Sequence, residues 1–504
     1  MTRPARRGRS ARVRARADAP VLCKPALNRN VGPVDLLDED GVQHIHQAVL
    51  HIVETIGIEF RDAVAIADWK RYGARVEGAR VRLCRSQLME LIGQVPGRYR
   101  FEARNPERSV DVGGSGSIFA NCYGAPFVYD LDGTRRRFVL EDSRDFLRLA
   151  QMSACMHVPG ILPVEPQDAP VPQRHLDLVS SALHLTDKPV MGSVISEAAA
   201  RDTIDMLRIV FGEDHLEENV VVTALLNCNS PLVWDETMLQ SLRVYAGANQ
   251  PALVTPFLLA GASGPASILG GVAQLLAEAL AGIAYAQVVR KGCPMVLGVA
   301  LLGVSMKTGA PMLGTAEPGL MNLLVGQMAR FYGLPWRSCT MWTGSKMADL
   351  QAGYDSANAM WPVLLGGCHY IMHAAGFLEG TLGVSYAKWV QDAAQLDGYY
   401  RFFEGLKAEN LPRLLADIAE IGPGGHFLGT DHTRENPFLV NPLQNNDSYE
   451  QWLQDGAKSA EVVGNETARR MLERYAPPPL DGGICEALGR FVLDRRASLG
   501  GLPG

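Results

Sequence analysis

The chain has 504 residues, a formal net charge of -6, 47% hydrophobic and 20% charged residues. This length suits one large domain with appendages, and the composition excludes a disordered chain. The slight acidity excludes a nucleic-acid-binding surface spread over the whole molecule, because neutralising phosphates takes clustered excess Lys and Arg.

The one basic cluster is at the start, where Arg3, Arg6, Arg7, Arg9, Arg12, Arg14 and Arg16 lie in a stretch with no large apolar run. Lacking the apolar core of a signal peptide, residues 1–30 read as a disordered basic tail. From Val34 to Gly57, apolar residues at mixed three and four spacing predict an amphipathic helix, with further short helices to about Val95. Between Tyr99 and Phe138 the pattern alternates, and Asp132-Gly133 separates two alternating runs, predicting a β-hairpin. Residues 31–150 are thus expected to form an N-terminal helical and β-hairpin subdomain.

Six short apolar runs follow, each ending in a polar or glycine-rich turn and leading into a helical stretch. They span 189–194, 220–227, 252–257, 294–299, 335–339 and 369–374. Their spacing is that of one strand, loop and helix, and predicts a parallel sheet. No G-x-G-x-x-G follows the first run, which weakens a dinucleotide-binding sheet and favours a TIM (β/α)8 barrel over residues 151–475. Residues 476–504, with Pro477-Pro478-Pro479 and an amphipathic end, read as a C-terminal linker and helix. No apolar stretch is expected to span a membrane. The nine scattered cysteines lack C-x-x-C spacing, which fits reduced thiols and a cytoplasmic location.

In a parallel barrel the chemistry sits at the carboxyl ends of the strands. Tyr123, Phe257, Trp342 and Tyr386 lie near such ends and could enclose a quaternary ammonium over their ring faces, although ring clusters also serve as plain core. Glu278 and Glu317 lie in or beside apolar helical stretches, where a carboxylate must be paired, exposed or functional. The loop Gly422 to Thr433 combines four glycines with His426 and His432; its spacing makes a weak metal site, and no tightly bound metal is expected.

Several segments together resemble the trimethylamine methyltransferase family. They are Asn229-Ser230-Pro231-Leu232 with Trp234-Asp235-Glu236, Ala277-Glu278-Ala279-Leu280-Ala281-Gly282, Thr308-Gly309-Ala310-Pro311, Ser345-Lys346 with Asp349 and Gln351-Ala352-Gly353-Tyr354, His373-Ala374-Ala375-Gly376 with Leu378-Glu379-Gly380, and Gly422 to Glu435. They occur in order from about residue 30 onward. The resemblance implies a barrel enzyme that moves a methyl group from a small methylated amine to a corrinoid (cobalamin) carried by a partner protein. Pyrrolysine, expected in a trimethylamine-specific member after the fifth run, is absent from Ser338 to Trp342, which places the chain with the branch acting on quaternary amines such as glycine betaine. Trimethylamine as substrate, or betaine binding without turnover, are the alternatives. The resemblance implies Glu317 and His373 as catalytic groups, the former facing the cationic nitrogen. Asn227 and Asn229 join His373 as donors to a betaine carboxylate, and Tyr123, Phe257, Trp342 and Tyr386 form the substrate cage. Gly424, Gly425 and His426 are placed against the corrinoid or at the mouth. Self-association into a homo-oligomer is expected.

Overall fold

The computed structural model describes residues 23–160, 166–406, 411–435, 438, 441 and 443–500. The arginines from Arg3 to Arg16 lie outside the described residues. Seven parallel strands form the main sheet: β1 (Gly116–Phe119), β2 (Val190–Gly192), β3 (Val222–Leu226), β4 (Ala252–Val254), β5 (Val296–Gly298), β6 (Trp336–Cys339) and β7 (Tyr370–Met372). Their order is β1-β7-β6-β5-β4-β3-β2, with Arg337 opposite Tyr370 and Tyr370 opposite Ile118. The six apolar runs expected from the sequence supply β2 to β7.

The sheet is curled. Thr223 Oγ1 on β3 and the Tyr370 hydroxyl on β7 lie 3.1 Å apart, although three strands separate them in the order. Four steps of about 4.8 Å in a flat sheet would hold them about 19 Å apart. The two strands therefore meet across an interior, which a layer of buried side chains fills. The buried Tyr99 hydroxyl, from the strand Arg98–Phe101, lies beneath this layer near Tyr370 and Cys293.

Two boundaries differ from the sequence reading. Leu27–Asn28, inside the expected tail, form an antiparallel strand on the outer edge of β1, eighth in the sheet, and Arg29 donates to the carbonyls of Gly116 (2.9 Å) and Cys368 (2.8 Å). β1 itself comes from the expected N-terminal subdomain, so the main sheet begins ahead of residue 151. Further along the same edge Val158 makes an isolated parallel bridge to Ala120. The predicted hairpin is present, with Phe127–Tyr129 antiparallel to Arg135–Arg137; it also continues a small sheet with Gly383–Ser385.

Helices α1 (Ile268–Val289), α2 (Ala316–Tyr332), α3 (Leu350–Leu365) and α4 (Tyr386–Phe403) cover the outer face. By length and composition α1 could cross a membrane, but it is mostly buried inside the protein. Its close packing shows at Gly282, where a Cβ would overlap the Trp234 ring. The C-terminal helix Gly482–Leu499 docks through Arg495 on Asp202 (2.6 Å) and Arg496 on Asp177 (2.7 Å). All nine cysteines are free thiols.

Candidate active site

A cavity of about 300 Å³ opens at the carboxyl ends of the strands. Its walls include Tyr123, Asn227, Phe257, Trp342, His373 and Phe377, with Arg337 and Cys339 from β6 reaching in from the sheet. Five of the residues expected from the sequence thus meet around one cavity: Tyr123, Asn227, Phe257, Trp342 and His373. Two that lie deep in it, Arg337 and Cys339, and the ring of Phe377 were not among them.

The backbone at the ends of β6 and β7 makes this possible. Met341, just before Trp342, has φ 49°, and His373 has φ 57°, so both turn sharply out of their strands in the left-handed region. At Gly376 φ is 98° and a Cβ would press within 2.9 Å of Trp389, so only glycine fits without displacement. His373 lies between two rings, 6.4 Å from Trp342 and near parallel to it, and 4.9 Å from Phe377.

Arg337 is the principal electrostatic feature. It is 2% exposed, its Nε donates to Met372 Sδ at 3.3 Å, and Nη1 has no hydrogen-bond partner. No ion pair to a carboxylate is found for it among the described residues. A buried charge is costly to leave unpaired, so an anion brought into the cavity would complete it. Burial, and then the Arg337 charge, push His373 well below the usual imidazole range, so it is neutral at physiological pH. Burial raises the Cys339 thiol, with the nearby guanidinium acting in the opposite sense.

The rim is held by the hairpin. Arg135 donates to both oxygens of Glu379 (2.5 and 2.9 Å), its guanidinium lies 3.7 Å over the Phe127 ring, and Tyr129 also bonds Glu379. These contacts fix Gly380 and Thr381, which line the cavity.

The remaining candidates lie elsewhere. Tyr386 is buried away from the cavity, stacked on Phe146 at 4.6 Å, and donates to Asp142 (3.2 Å) and Asp145 (3.1 Å); it is a core residue. Glu317 is exposed in the first turn of α2, where the Thr315 hydroxyl lowers its pKa, and it faces no cavity residue. Asn229 is exposed and pairs through its backbone with Val233. Gly424, Gly425 and His426 sit in an exposed loop whose residues do not line the cavity. Glu278, left open by the sequence as paired, exposed or functional, is fully buried. It accepts from Ser230 Oγ (2.6 Å), Leu232 N (2.8 Å), Gln274 Nε2 (2.8 Å) and Cys228 Sγ (3.1 Å), and so shapes the loop after β3.

Arg337 carried a legible signal: a charged residue inside an apolar strand run has to be paired or functional. Phe377 was hidden, because a ring one turn past a strand end has no distinguishing pattern.

The chain belongs to the trimethylamine methyltransferase (MTTB) family, whose model matches residues 5–500. It is similar to the glycine betaine methyltransferase of Desulfitobacterium hafniense strain Y51, with 36% identity over 92% of this chain and 98% of that one. It is 25% identical to a trimethylamine methyltransferase of Desulfitobacterium hafniense strain DCB-2, over 90% of this chain and 93% of that one. It is 23% identical to the proline betaine:corrinoid methyltransferase of Eubacterium limosum, over 77% of this chain and 82% of that one.

Proposed function

We propose that this protein is a cytoplasmic methyltransferase that moves a methyl group from a small quaternary amine bearing a carboxylate, glycine betaine in the simplest case, to a corrinoid held by a separate protein. The observation that carries this reading is Arg337, a buried guanidinium in an aromatic-lined cavity with no carboxylate partner among the described residues. The curled sheet supports a closed (β/α)8 barrel, with the segment at Val158 in the remaining position.

Arg337 lies within β6, which runs toward the mouth, and Trp342 lies in the loop beyond its end, so we place the cation end of the cavity outermost. A betaine would place its carboxylate on Arg337 and its trimethylammonium among Trp342, Tyr123 and Phe257, whose ring faces favour a diffuse cation by about 0.5 to 2 kcal/mol each. Neutral His373 adds no repulsion to that cation. A methyl group then faces outward. A Co(I) corrinoid supplies the nucleophile for in-line attack on that methyl carbon, and the C–N bond pair stays with nitrogen, so the amine leaves neutral. The chain's own residues orient the zwitterion and exclude water. Trimethylamine, lacking a carboxylate, would leave Arg337 unsatisfied and is expected to be a poor substrate.

The test is a methyl-transfer assay with Co(I) cobalamin and with a corrinoid protein, following the methyl-Co(III) spectrum. Growth with glycine betaine and not with trimethylamine is expected; silence with every carboxylate-bearing quaternary amine would remove the reading.

A further inference from the structure

One turn of α4 touches three of the loops that carry the cavity rings. Lys388 and Asp392 lie four residues apart on its buried face, and their side chains pair at 2.5 Å. The Lys388 ammonium spends its other two N–H groups on the Met341 carbonyl (3.0 Å) and on Ser356 Oγ of α3 (2.8 Å). Met341 is the left-handed residue directly before Trp342. The same Asp392 oxygen accepts from the Gly376 N–H (2.8 Å), directly before Phe377. Between them in sequence, Trp389 donates its indole N–H to Asn121 Oδ1 (2.7 Å), two residues before Tyr123, and the Asn121 carbonyl accepts from His373 N (3.3 Å).

A buried ion pair is weak evidence for stability, because desolvation offsets most of the attraction. Here the pair instead ends on backbone groups beside Trp342 and Phe377. Each is a position whose φ is positive, so neither loop is held there by ordinary backbone preference. We infer that Lys388 and Asp392, with Trp389, are positioning residues that set the spacing of the aromatic wall around the substrate cation. They touch neither the cavity nor the reacting atoms; they act through Met341, Gly376 and Asn121.

This inference rests on the cavity being the quaternary-amine site. A double variant, Lys388→Met with Asp392→Asn, removes both charges together and leaves no uncompensated ion. Trp389→Phe removes the bond to Asn121 together with part of a buried ring, keeps an aromatic in the core, and serves as an independent variant. In each, KM for glycine betaine should rise about tenfold to a hundredfold with a much smaller change in kcat, since misplacement of binding groups falls on the complex. Amide hydrogen exchange of residues 341–345 and 373–377 in the double variant, and of 121–123 in Trp389→Phe, measured without substrate, should quicken while exchange in β3 to β5 is unchanged. A lowered melting temperature with KM and loop exchange both unaltered would overturn the inference. If the wild-type protein uses no quaternary amine, the functional reading fails on its own, and loop exchange still decides whether α4 positions the wall.

Discussion

Arg337 and His373 line one cavity from adjacent strands, and the guanidinium charge reinforces burial in keeping the imidazole neutral. The usual histidine pKa is about 6.5, and His373 lies well below it. The dissociation constant for glycine betaine should therefore stay level from about pH 8 down to about pH 6. An inflection near 6.5 in calorimetric titrations across that range would show that His373 gains a proton there, contrary to the structure.

Arg337→Met should weaken glycine betaine binding by about tenfold to a hundredfold or more, the worth of a hydrogen bond to a charged partner being about 1.5 to 3 kcal/mol. Binding of a cationic analogue with a hydroxyl in place of the carboxylate, a trimethylammonium alcohol, should change far less. Because Arg337 has no carboxylate partner in the described residues, its removal should leave the melting temperature equal or higher. Equal losses for both ligands would place the carboxylate elsewhere.

His157 and His369 are held by burial at a pKa of about 4. Each ring accepts a strand amide at Nδ1, from Phe119 N at 3.0 Å and Trp336 N at 3.1 Å. The unfolded chain binds protons at these histidines from about pH 6.5 downward, while the folded chain does not until about pH 4. Stability is thus full above about 6.5 and is lost as pH falls toward 4, by up to about 1.4 kcal/mol per pH unit for each histidine. Denaturant unfolding at pH 7, 6 and 5 should follow that decline; a flat profile would contradict it.

Glu278→Ala should cost about 3 to 5 kcal/mol in denaturant unfolding, because four donors lose one buried acceptor group together. A loss below about 1 kcal/mol would mean that water takes the carboxylate's place.

Tyr386→Phe should remove about 1.5 to 3 kcal/mol of stability with the bonds to Asp142 and Asp145, yet leave KM for the amine within about twofold. Glu317→Gln should alter neither stability nor KM appreciably, as an exposed carboxylate at a helix start is worth about 0.3 to 1 kcal/mol. A large rise in KM for either variant would return that residue to the site.

Strand positions were legible because a strand buried on both faces tends to be a near-continuous apolar run, as β2 to β5 and β7 are, with β6 interrupted by Arg337 and Ser338. β1 was not, since Gly116-Ser117-Ile118-Phe119 follows a glycine-rich turn and reads as part of a hairpin region. Ring residues at strand ends were found, but sequence could not separate Trp342, which lines the cavity, from Tyr386, which packs on Phe146: both are aromatics just past a strand. Glu317 was misleading for a related reason. Helical apolar spacing places it beside the core, and only the helix start shows that its side chain faces solvent.

The Thr223–Tyr370 contact, with Tyr99 beneath it, closes the base of the interior among the described residues. The cavity thus has its doorway at the carboxyl ends of the strands. Under the proposed transfer the methyl acceptor must approach that same doorway, so it would also stopper it. The amine must then load before the acceptor arrives, and the demethylated product must wait until it departs, giving a compulsory order to each turnover.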